Sequence, residues 1–213
     1  NPHRSALHTI ELGARAAIDK TCPCQRPKQQ HLAKIIAAKT PIPPSELHGK
    51  SMPTTDKTTF NNFGLSAPLL KDLARMGFAN PTPIQEKSLP PALAGRDILG
   101  CAQTGTGKTA AFVIPMVERL TRSPEGPPRG LILAPTRELA FQIQETLDNL
   151  GRSLRVYGTT LVGGADMQAQ IRGLKRHPEV VVATPGRLLD LMWDGHLDLG
   201  NVEMVVLDEA DRM

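Results

Sequence analysis

The stretch GCAQTGTGKTAAF, residues 100–112, holds three glycines, a lysine and threonines directly before an apolar run. It contains Gly107-Lys108-Thr109, the ending of the phosphate-binding pattern G-x-x-x-x-G-K-[ST], but Ala102 stands at the first position of that pattern. That outermost position shapes the turn, whereas the anion is held by backbone N–H groups nearer the helix, so alanine is compatible with the loop. The stretch therefore predicts a phosphate-binding loop between a strand and a helix.

Each residue type in this loop has a chemical role in holding a nucleotide. Gly105 and Gly107 let successive N–H groups point at one anion, and the helix that begins near Lys108 adds the positive end of its dipole. Lys108 would reach the β- and γ-phosphates, and the Thr109 hydroxyl would coordinate Mg²⁺. The alternative is a glycine-rich turn before an ordinary helix, which G-K-T at a strand-to-helix junction disfavours.

A second segment, VVLDEAD at 205–211, supplies the carboxylates that the loop lacks. An apolar strand that ends in Asp208 can direct a carboxylate towards the Mg²⁺ held by Thr109. Glu209 is placed to orient or deprotonate a water that attacks the γ-phosphate. Alone, this segment would be interpreted as a solvated acidic turn; beside a phosphate loop, the catalytic interpretation is favoured.

Short apolar runs alternate with helical segments from residue 60 onward. Such runs, with little polar alternation inside them, predict an α/β fold with a mostly parallel sheet and helices on both faces. Ligands bind beyond the carboxyl ends of the strands in these sheets, and TGTGKT, APTREL, ATPGR and LDEAD each follow a strand-like run. The runs are DILGC (97–101), GLILAPT (130–136), RVYGTTLV (155–162), EVVVATP (179–185) and EMVVLDE (203–209).

Residues 1–58 differ from the rest and predict a disordered tail or linker before a domain over 59–213. The tail carries nine basic and four acidic residues, whereas the remainder carries 16 basic and 17 acidic ones, so overall basicity does not argue that the domain binds nucleic acid. Within the tail, LAKIIAAK (32–39) could form a short amphipathic helix, although the sequence offers it no packing partner. Cys22 and Cys24 lack the further ligands of a structural zinc site, which is disfavoured.

The amino-acid composition limits which classes of protein the chain could belong to. The chain is 40% hydrophobic and 22% charged, as in ordinary globular domains, and no apolar run approaches the length of a membrane span. No secretory signal is recognisable at the start of the sequence, and three cysteines do not make a disulfide framework. These features predict a cytoplasmic protein with no membrane partner.

Together the motifs strongly resemble the DEAD-box family of ATP-dependent RNA helicases over residues 60–213. The segment 208–211 spells the motif that names the family, and AQTGTGKT is similar to the family's own phosphate loop, Ala102 included. GFANPTPIQ (77–85) resembles the family's Q motif, with Phe60 17 residues upstream of it. The residues that flank these motifs resemble those of the bacterial RhlE-like branch. The resemblance implies the first of two RecA-like P-loop NTPase domains.

The resemblance also implies a ligand set: ATP and Mg²⁺ as cofactors and RNA as partner. Gln85 would read the adenine and Phe60 would pack against the base. The nucleotide-binding set is Phe60, Gln85, Thr104, Gly105, Thr106, Gly107, Lys108 and Thr109; the catalytic set is Lys108, Asp208 and Glu209, with Thr109 and Asp208 as Mg²⁺ ligands. The set for RNA is Pro135, Thr136, Arg137, Gly163, Gly164, Thr184, Pro185, Gly186 and Arg187.

The aromatic count favours recognition of the RNA backbone over base stacking. One Trp, one Tyr and five Phe, scattered among apolar runs, are too few for a stacking platform. Contacts to phosphates and 2′-hydroxyls carry little sequence information, so we expect RNA binding that is independent of sequence.

Two functional interpretations stay open. The family's S-A-T motif and second domain are not in this sequence, so we expect a monomeric fragment that carries half of an active site. The whole protein would be an RNA-dependent ATPase that locally unwinds RNA duplexes. Alternatively, the chain on its own is a nucleotide-binding module with negligible turnover. A DNA-directed relative is disfavoured because the Q motif and PTRELA resemble the RNA family.

Overall fold

The computed structural model describes residues 32–38, 58–103, 105–121 and 128–213. Their helices and strands alternate along the chain, with short 3₁₀ turns at Phe60–Phe63, Arg152–Leu154 and Ala210–Arg212. The α-helices are Ala67–Arg75 (α1), Pro83–Leu93 (α2), Lys108–Leu120 (α3), Arg137–Gly151 (α4), Met167–Leu174 (α5) and Pro185–Trp193 (α6). The strands are Leu32–Ala38 (β1), Ile98–Ala102 (β2), Gly130–Leu133 (β3), Gly158–Leu161 (β4), Val180–Ala183 (β5) and Met204–Asp208 (β6).

The strands form one sheet in the order β2-β1-β6-β3-β5-β4. Strand β3 pairs in parallel with both β5 and β6, and β4 pairs in parallel with β5. Alternate residues of the buried strands enter two separate apolar cores: Ile132 and Val182 face helices α1 to α4, whereas Leu131 and Val181 face α5 and α6. The predicted α/β fold with helices on both faces of a mostly parallel sheet is confirmed.

Strand β1 corrects the sequence interpretation of residues 32–39. The structure forms a strand here, not a helix, and it pairs antiparallel with β2 on one side and β6 on the other. An Ile-Ile pair favours a strand, and the two flanking strands offer backbone partners, so tertiary context overrides the helical spacing. The predicted disorder of the remainder of 1–58 falls on residues outside the described ranges, except for Thr58; Cys22 and Cys24 lie outside them too.

The carboxyl ends of the strands bring the sequence motifs to one edge of the sheet. The phosphate loop follows β2, Thr184 follows β5, and β6 ends in Asp208. Backbone hydrogen bonds tie these ends together: the Ala134 N–H donates to the Ala183 carbonyl, and the Thr184 N–H donates to the Leu161 carbonyl, each at 2.9 Å. Among the helices of the described residues, none combines the length and the apolar character that crossing a membrane requires.

Candidate nucleotide and nucleic-acid site

The phosphate loop turns through two glycines that adopt left-handed backbone conformations. Gly105 has φ of 79° and Gly107 has φ of 80°, which side chains other than glycine rarely adopt. Gly107 is the N-cap of α3, so the helix begins at Lys108 with its N-terminal N–H groups next to the loop. This is the arrangement that binds an anion at a helix N-terminus. Thr104 lies outside the described residues.

Lys108 is held inside the loop that it belongs to. Its side chain is only 7% exposed, and its Nζ donates a hydrogen bond to the carbonyl of Ala102, the last residue of β2. Burial lowers the pKa of the Lys108 ammonium below its usual value, while the carboxylates of Asp208 and Glu209 oppose that shift. The charge of Lys108 is therefore directed at the loop and faces the acidic motif.

The acidic motif presents its two carboxylates differently. Asp208 ends β6 and is 2% exposed, whereas Glu209 lies beyond the strand with φ of 53° and ψ of 45°. A residue with a β-carbon in this left-handed region is strained by about 1–2 kcal/mol. The Glu209 Oε2 atom accepts a 3.0 Å hydrogen bond from Nη1 of Arg212. Strain of this kind often occurs where a backbone must aim a functional side chain.

The donor set beside the loop fits Mg²⁺. Thr109 offers a hydroxyl in the first turn of α3, and Asp208 offers a carboxylate at the end of β6. Mg²⁺ prefers oxygen ligands and is usually held by one or two protein groups together with waters and substrate phosphates. In the described part of the chain no group of three or more His, Cys, Asp or Glu side chains could hold a metal by itself.

Gln85 is fully buried, and both ends of its side-chain amide are engaged. Its Oε1 accepts from the Thr82 N–H at 2.9 Å, and its Nε2 donates to the Gly107 carbonyl at 3.0 Å. The contact with Thr82 caps the N-terminus of α2, and the contact with Gly107 joins α2 to the phosphate loop. The T-x-x-Q spacing of 82–85 is a capping signal that identifies Thr82 as a partner. The sequence predictions omitted Thr82.

Phe60 packs into the core beside an open cleft. Its ring lies 6.3 Å from those of Phe63 and Phe78, and it is 4% exposed. The cleft, of about 380 Å³, is lined by Phe60 and by residues 77–79, among others. Gln85 and Lys108 do not line this cleft. Of the two residues predicted to bind the base, Phe60 lines this cleft and Gln85 does not.

The predicted RNA-binding residues lie beyond β3, β4 and β5. Thr136 is the N-cap of α4, where its hydroxyl accepts a 3.3 Å hydrogen bond from the Leu139 N–H. Arg137 is exposed, and Gly164 is so close to it that a β-carbon built on Gly164 would meet Nη1 of Arg137 at 2.6 Å. Arg137 and Gly164 are therefore in contact, which brings the segments 135–137 and 163–164 together.

Two side chains hold the turn that contains Gly163 and Gly164. Arg187 donates from Nη1 to the Ala165 carbonyl at 3.3 Å. Gln170 on α5, which the sequence predictions omitted, bonds both backbone groups of Val162. Nothing in the sequence singles out Gln170, because an isolated glutamine on a helix carries no pattern.

Comparisons with known proteins agree with this geometry. Residues 82–213 match the family described as DEAD/DEAH box helicase. The chain is 51% identical over 156 residues to the DEAD-box ATP-dependent RNA helicase CshA of Bacillus cereus, covering 73% of this chain and 30% of that protein. Its identity to the Bacillus subtilis CshA is 49%, covering 73% of this chain and 31% of that relative.

Solved structures show the same fold. The RNA helicase Prp28 of Chaetomium thermophilum, bound to ADP, is similar with a TM-score of 0.64 and 36% identity, over 78% of this chain and 39% of that one. A DEAD box protein of Methanococcus jannaschii is similar with a TM-score of 0.61 and 37% identity, over 68% and 39% of the two chains. The chain spans about 30% of the length of the curated relatives it matches. The RhlE-like branch stays a prediction.

Proposed function

This chain belongs to the DEAD/DEAH box helicase family, and we propose that it is the nucleotide- and RNA-binding domain of an ATP-dependent RNA helicase. The proposed reaction couples ATP hydrolysis to local opening of RNA duplexes. The observation that carries the proposal is the loop in which Gly105 and Gly107 adopt left-handed conformations and place the buried Lys108 at the start of α3. A second observation is the surface formed by residues 135–137 and 163–164 at the same edge of the sheet.

The loop supports binding of the nucleotide phosphates through charge and backbone. Lys108 would leave its contact with the Ala102 carbonyl and place its ammonium on the β- and γ-phosphates. The N–H groups at the start of α3 would donate to the same oxygens. Lys108 is buried with its Nζ on the Ala102 carbonyl, and an anion at that position would compensate its charge more fully than a neutral carbonyl does.

Asp208 and Glu209 would have different roles in ATP hydrolysis. Asp208 and Thr109 would hold Mg²⁺, which neutralises charge on the phosphate oxygens when bound. Glu209 would accept a hydrogen bond from the attacking water and take its proton as the water oxygen bonds to the γ-phosphorus, while the bond from that phosphorus to the bridging oxygen breaks and its electrons leave with ADP. Exchange of the Arg212 contact for water would free the Glu209 carboxylate.

Base recognition would use Gln85 and Phe60. An amide can bond bidentately to the adenine N6 and N7 atoms, and each end of the Gln85 amide still has capacity for a second hydrogen bond. Because Gln85 is fully buried, adenine would reach it only if α2 and the phosphate loop separate locally. Phe60 lines the cleft of about 380 Å³, and the base would pack against its ring.

RNA would be held by its sugar-phosphate backbone. The proposed contacts lie after three parallel strands on one surface, and Arg137 supplies an exposed positive charge there. The residues are those predicted from sequence: Pro135, Thr136, Arg137, Gly163, Gly164, Thr184, Pro185, Gly186 and Arg187.

The test measures binding and turnover separately. Mg·ATP and a fluorescein-labelled single-stranded oligouridylate are titrated into this chain, and phosphate release is followed with and without the RNA. RNA-dependent turnover that Glu209→Gln abolishes would support the helicase proposal in full. Binding of both ligands without turnover would support a binding module that needs further chain for catalysis. Failure to bind either ligand would reject the proposal.

A further inference from the structure

We propose that the domain carries a second surface for single-stranded RNA, which lies before β4 and β5 at the amino edge of the sheet. We call it the basic patch, and its residues are Arg152, Arg155, Tyr157, Lys175 and Arg176. The inference rests on the proposed RNA-binding function, because the patch would hold the part of a strand that extends beyond the RNA surface at the carboxyl edge.

The chain is locally basic around the patch. Segments 149–157 and 167–178 contain five Lys or Arg residues and no Asp or Glu, whereas the domain as a whole carries 16 basic and 17 acidic residues. One of the five, Arg172, lies 3.7 Å from the Asp166 carboxylate. The four that belong to the patch are exposed, and among the described residues none of them forms an ion pair. Unpaired charge of one sign on one face attracts a polyanion.

Backbone contacts bring the two segments of the patch together. The Tyr157 carbonyl accepts a 3.2 Å hydrogen bond from the Val180 N–H, and the Tyr157 N–H donates to Glu179 Oε2 at 3.0 Å. These contacts continue the parallel pairing of β4 with β5 towards its amino end. Residues 155–157 therefore lie beside residues 177–179, although they are more than 20 residues apart in sequence.

Two carboxylates neighbour the basic patch and oppose its charge. Asp148 lies four residues before Arg152 and accepts a 2.8 Å hydrogen bond from Gln144. Glu179 accepts the hydrogen bond from the Tyr157 N–H. Four basic side chains against these two carboxylates leave the patch with an excess of positive charge.

Tyr157 gives the patch a ring on which a base can stack. Its side chain is 56% exposed among the basic residues of the patch. Stacking on an aromatic ring requires a base that is not already stacked in a duplex, so this ring favours single-stranded RNA over double-stranded RNA. One ring does not make a stacking platform, and most of the contacts would therefore be to phosphates.

The backbone of the patch is strained at two of its turns. Among the described residues, the non-glycine residues with positive φ are Arg155 at 56°, His177 at 53° and Glu209 at 53°. Glycine adopts this conformation without strain, yet both turns of the patch carry a long or aromatic basic side chain. Strain of this kind collects at functional sites, and Glu209 belongs to the proposed nucleotide site.

Helix α4 connects the proposed RNA surface with the basic patch. It runs for 15 residues from Arg137 to Gly151, a length of about 22 Å. Phe141, one turn after Arg137 on the same side of the helix, is 49% exposed along this path. At about 3.4 Å per nucleotide, a stacked strand needs about seven nucleotides to cover that length. A shorter strand cannot occupy both surfaces at once.

The test compares two probe lengths. Fluorescein-labelled oligouridylates of about 6 and about 20 nucleotides are followed by anisotropy between about 50 and 200 mM KCl. Two double variants, Arg152→Gln with Arg155→Gln and Lys175→Gln with Arg176→Gln, each remove two charges of the patch. Each should lower the slope of log K against log salt by about 1.4 for the longer probe, since one phosphate contact contributes about 0.7. Both should bind the shorter probe like the wild type.

Tyr157 has its own pair of variants. Tyr157→Ala should weaken the longer probe about five- to a hundredfold, as the loss of one stacked base predicts, with the wild-type slope. Tyr157→Phe keeps the ring and should bind like the wild type. Equal weakening by the two variants would contradict stacking on Tyr157.

A matched control removes two exposed charges elsewhere. Lys87→Gln with Arg96→Gln changes α2 and the start of β2, at the other end of the sheet, and should keep the wild-type slope with both probes. A control slope reduced as much as that of the patch variants would overturn the inference, as would a wild-type slope in both patch variants.

Arg137→Gln distinguishes the basic patch from the proposed function on which it rests. This change should weaken both probes. If the longer probe responds to the patch variants while Arg137→Gln changes neither probe, the proposed RNA surface fails and the basic patch stands. If the shorter probe responds only to Arg137→Gln and the longer probe ignores the patch variants, the proposed function stands and the basic patch is rejected. A wild type that binds neither probe rejects both.

Discussion

The side-chain amide of Gln85 donates a 3.0 Å hydrogen bond to the backbone carbonyl of Gly107, which joins the start of α2 to the phosphate loop across 22 residues of sequence. The residue proposed to read the base is therefore attached to the loop proposed to hold the phosphates. Occupation of one part of the site should change the other, because Gln85 cannot turn fully towards a base without weakening this contact.

Base selectivity is the first prediction, and it concerns ADP and GDP. Guanine presents an oxygen at the position where adenine has its N6 amine, so the Gln85 carbonyl would face another acceptor. One bidentate pair discriminates by about 1–3 kcal/mol, so ADP should bind about ten- to a hundredfold more tightly than GDP. Calorimetric titration measures both affinities, and equal values would show that Gln85 does not read the base.

Removal of the Gln85 side chain gives a second test of that residue. Gln85→Ala should weaken ADP by at least the discrimination seen in the wild type, because the base contact is lost. It should also weaken GDP to a smaller degree, since the Gly107 contact that supports the loop disappears with it. If Gln85→Ala weakened GDP and ADP binding by the same factor, Gln85 would act only by supporting the phosphate loop.

The two loop glycines form a matched pair for the second prediction. Gly105→Ala and Gly107→Ala both place a β-carbon at φ near 80°, which costs about 1–2 kcal/mol. Only at Gly107 does the new β-carbon meet another atom, the anchored Gln85 Nε2, at 2.6 Å; at Gly105 the space is open. Urea unfolding should show a larger loss of stability for Gly107→Ala. Equal losses would mean that the Gln85 amide moves aside freely.

The strained backbone of Glu209 leads to the third prediction. Glu209→Gly should raise the free energy of unfolding by up to about 1 kcal/mol, because glycine adopts φ of 53° without strain. The Arg212 contact that is lost has a mostly exposed arginine, and a single ion pair with one exposed partner contributes about 1 kcal/mol or less. Glu209→Gln, which keeps the β-carbon, is the control. A glycine variant less stable than the glutamine variant would contradict a strained Glu209.

Asp148 on α4 gives a prediction about pH. Asp148 is exposed, and partial desolvation of its carboxyl raises the pKa above the ordinary value of 3.8, although a hydrogen bond from Gln144 opposes the shift, so we expect a small effect on stability. The folded state therefore binds this proton more tightly than the unfolded state, and the ionised carboxylate destabilises the fold as pH rises through the raised pKa. Asp148→Asn keeps an oxygen that can accept from Gln144 Nε2, so it should melt at a higher temperature at pH 7. That gain should shrink as pH falls towards 3.8. A gain that grows on acidification would contradict this sign.

Much of the fold could be predicted because central strands such as β3 and β5 are buried on both faces of the sheet and therefore appear in the sequence as apolar runs. EVVVATP contains β5 at Val180–Ala183, and EMVVLDE contains β6 at Met204–Asp208. The predicted strand at 155–162 is shorter in the structure, Gly158–Leu161, because Arg155 adopts φ of 56° and ends a 3₁₀ turn. Local backbone geometry of that kind leaves no signal in hydrophobic periodicity.

The features that sequence reasoning missed are contacts between distant segments. Strand β1 depends on two neighbours that are more than 50 residues away in sequence, so its local pattern favoured another structure. The contacts of Gln170 with Val162, of Arg187 with Ala165 and of Gln85 with Gly107 depend on how the helices pack. The motifs predicted a set of site residues, whereas the packing shows which of those side chains are buried against other parts of the protein and which are exposed.

The most direct test of the nucleotide site is a calorimetric titration of Mg·ADP into the wild type and Lys108→Ala. The lysine is the charge proposed to contact the phosphates, so its removal should abolish most of the affinity while the circular dichroism spectrum stays unchanged. Lys175→Ala, an exposed lysine at the opposite edge of the sheet, should bind Mg·ADP like the wild type. Wild-type affinity in Lys108→Ala would contradict the assignment of this loop as the phosphate site.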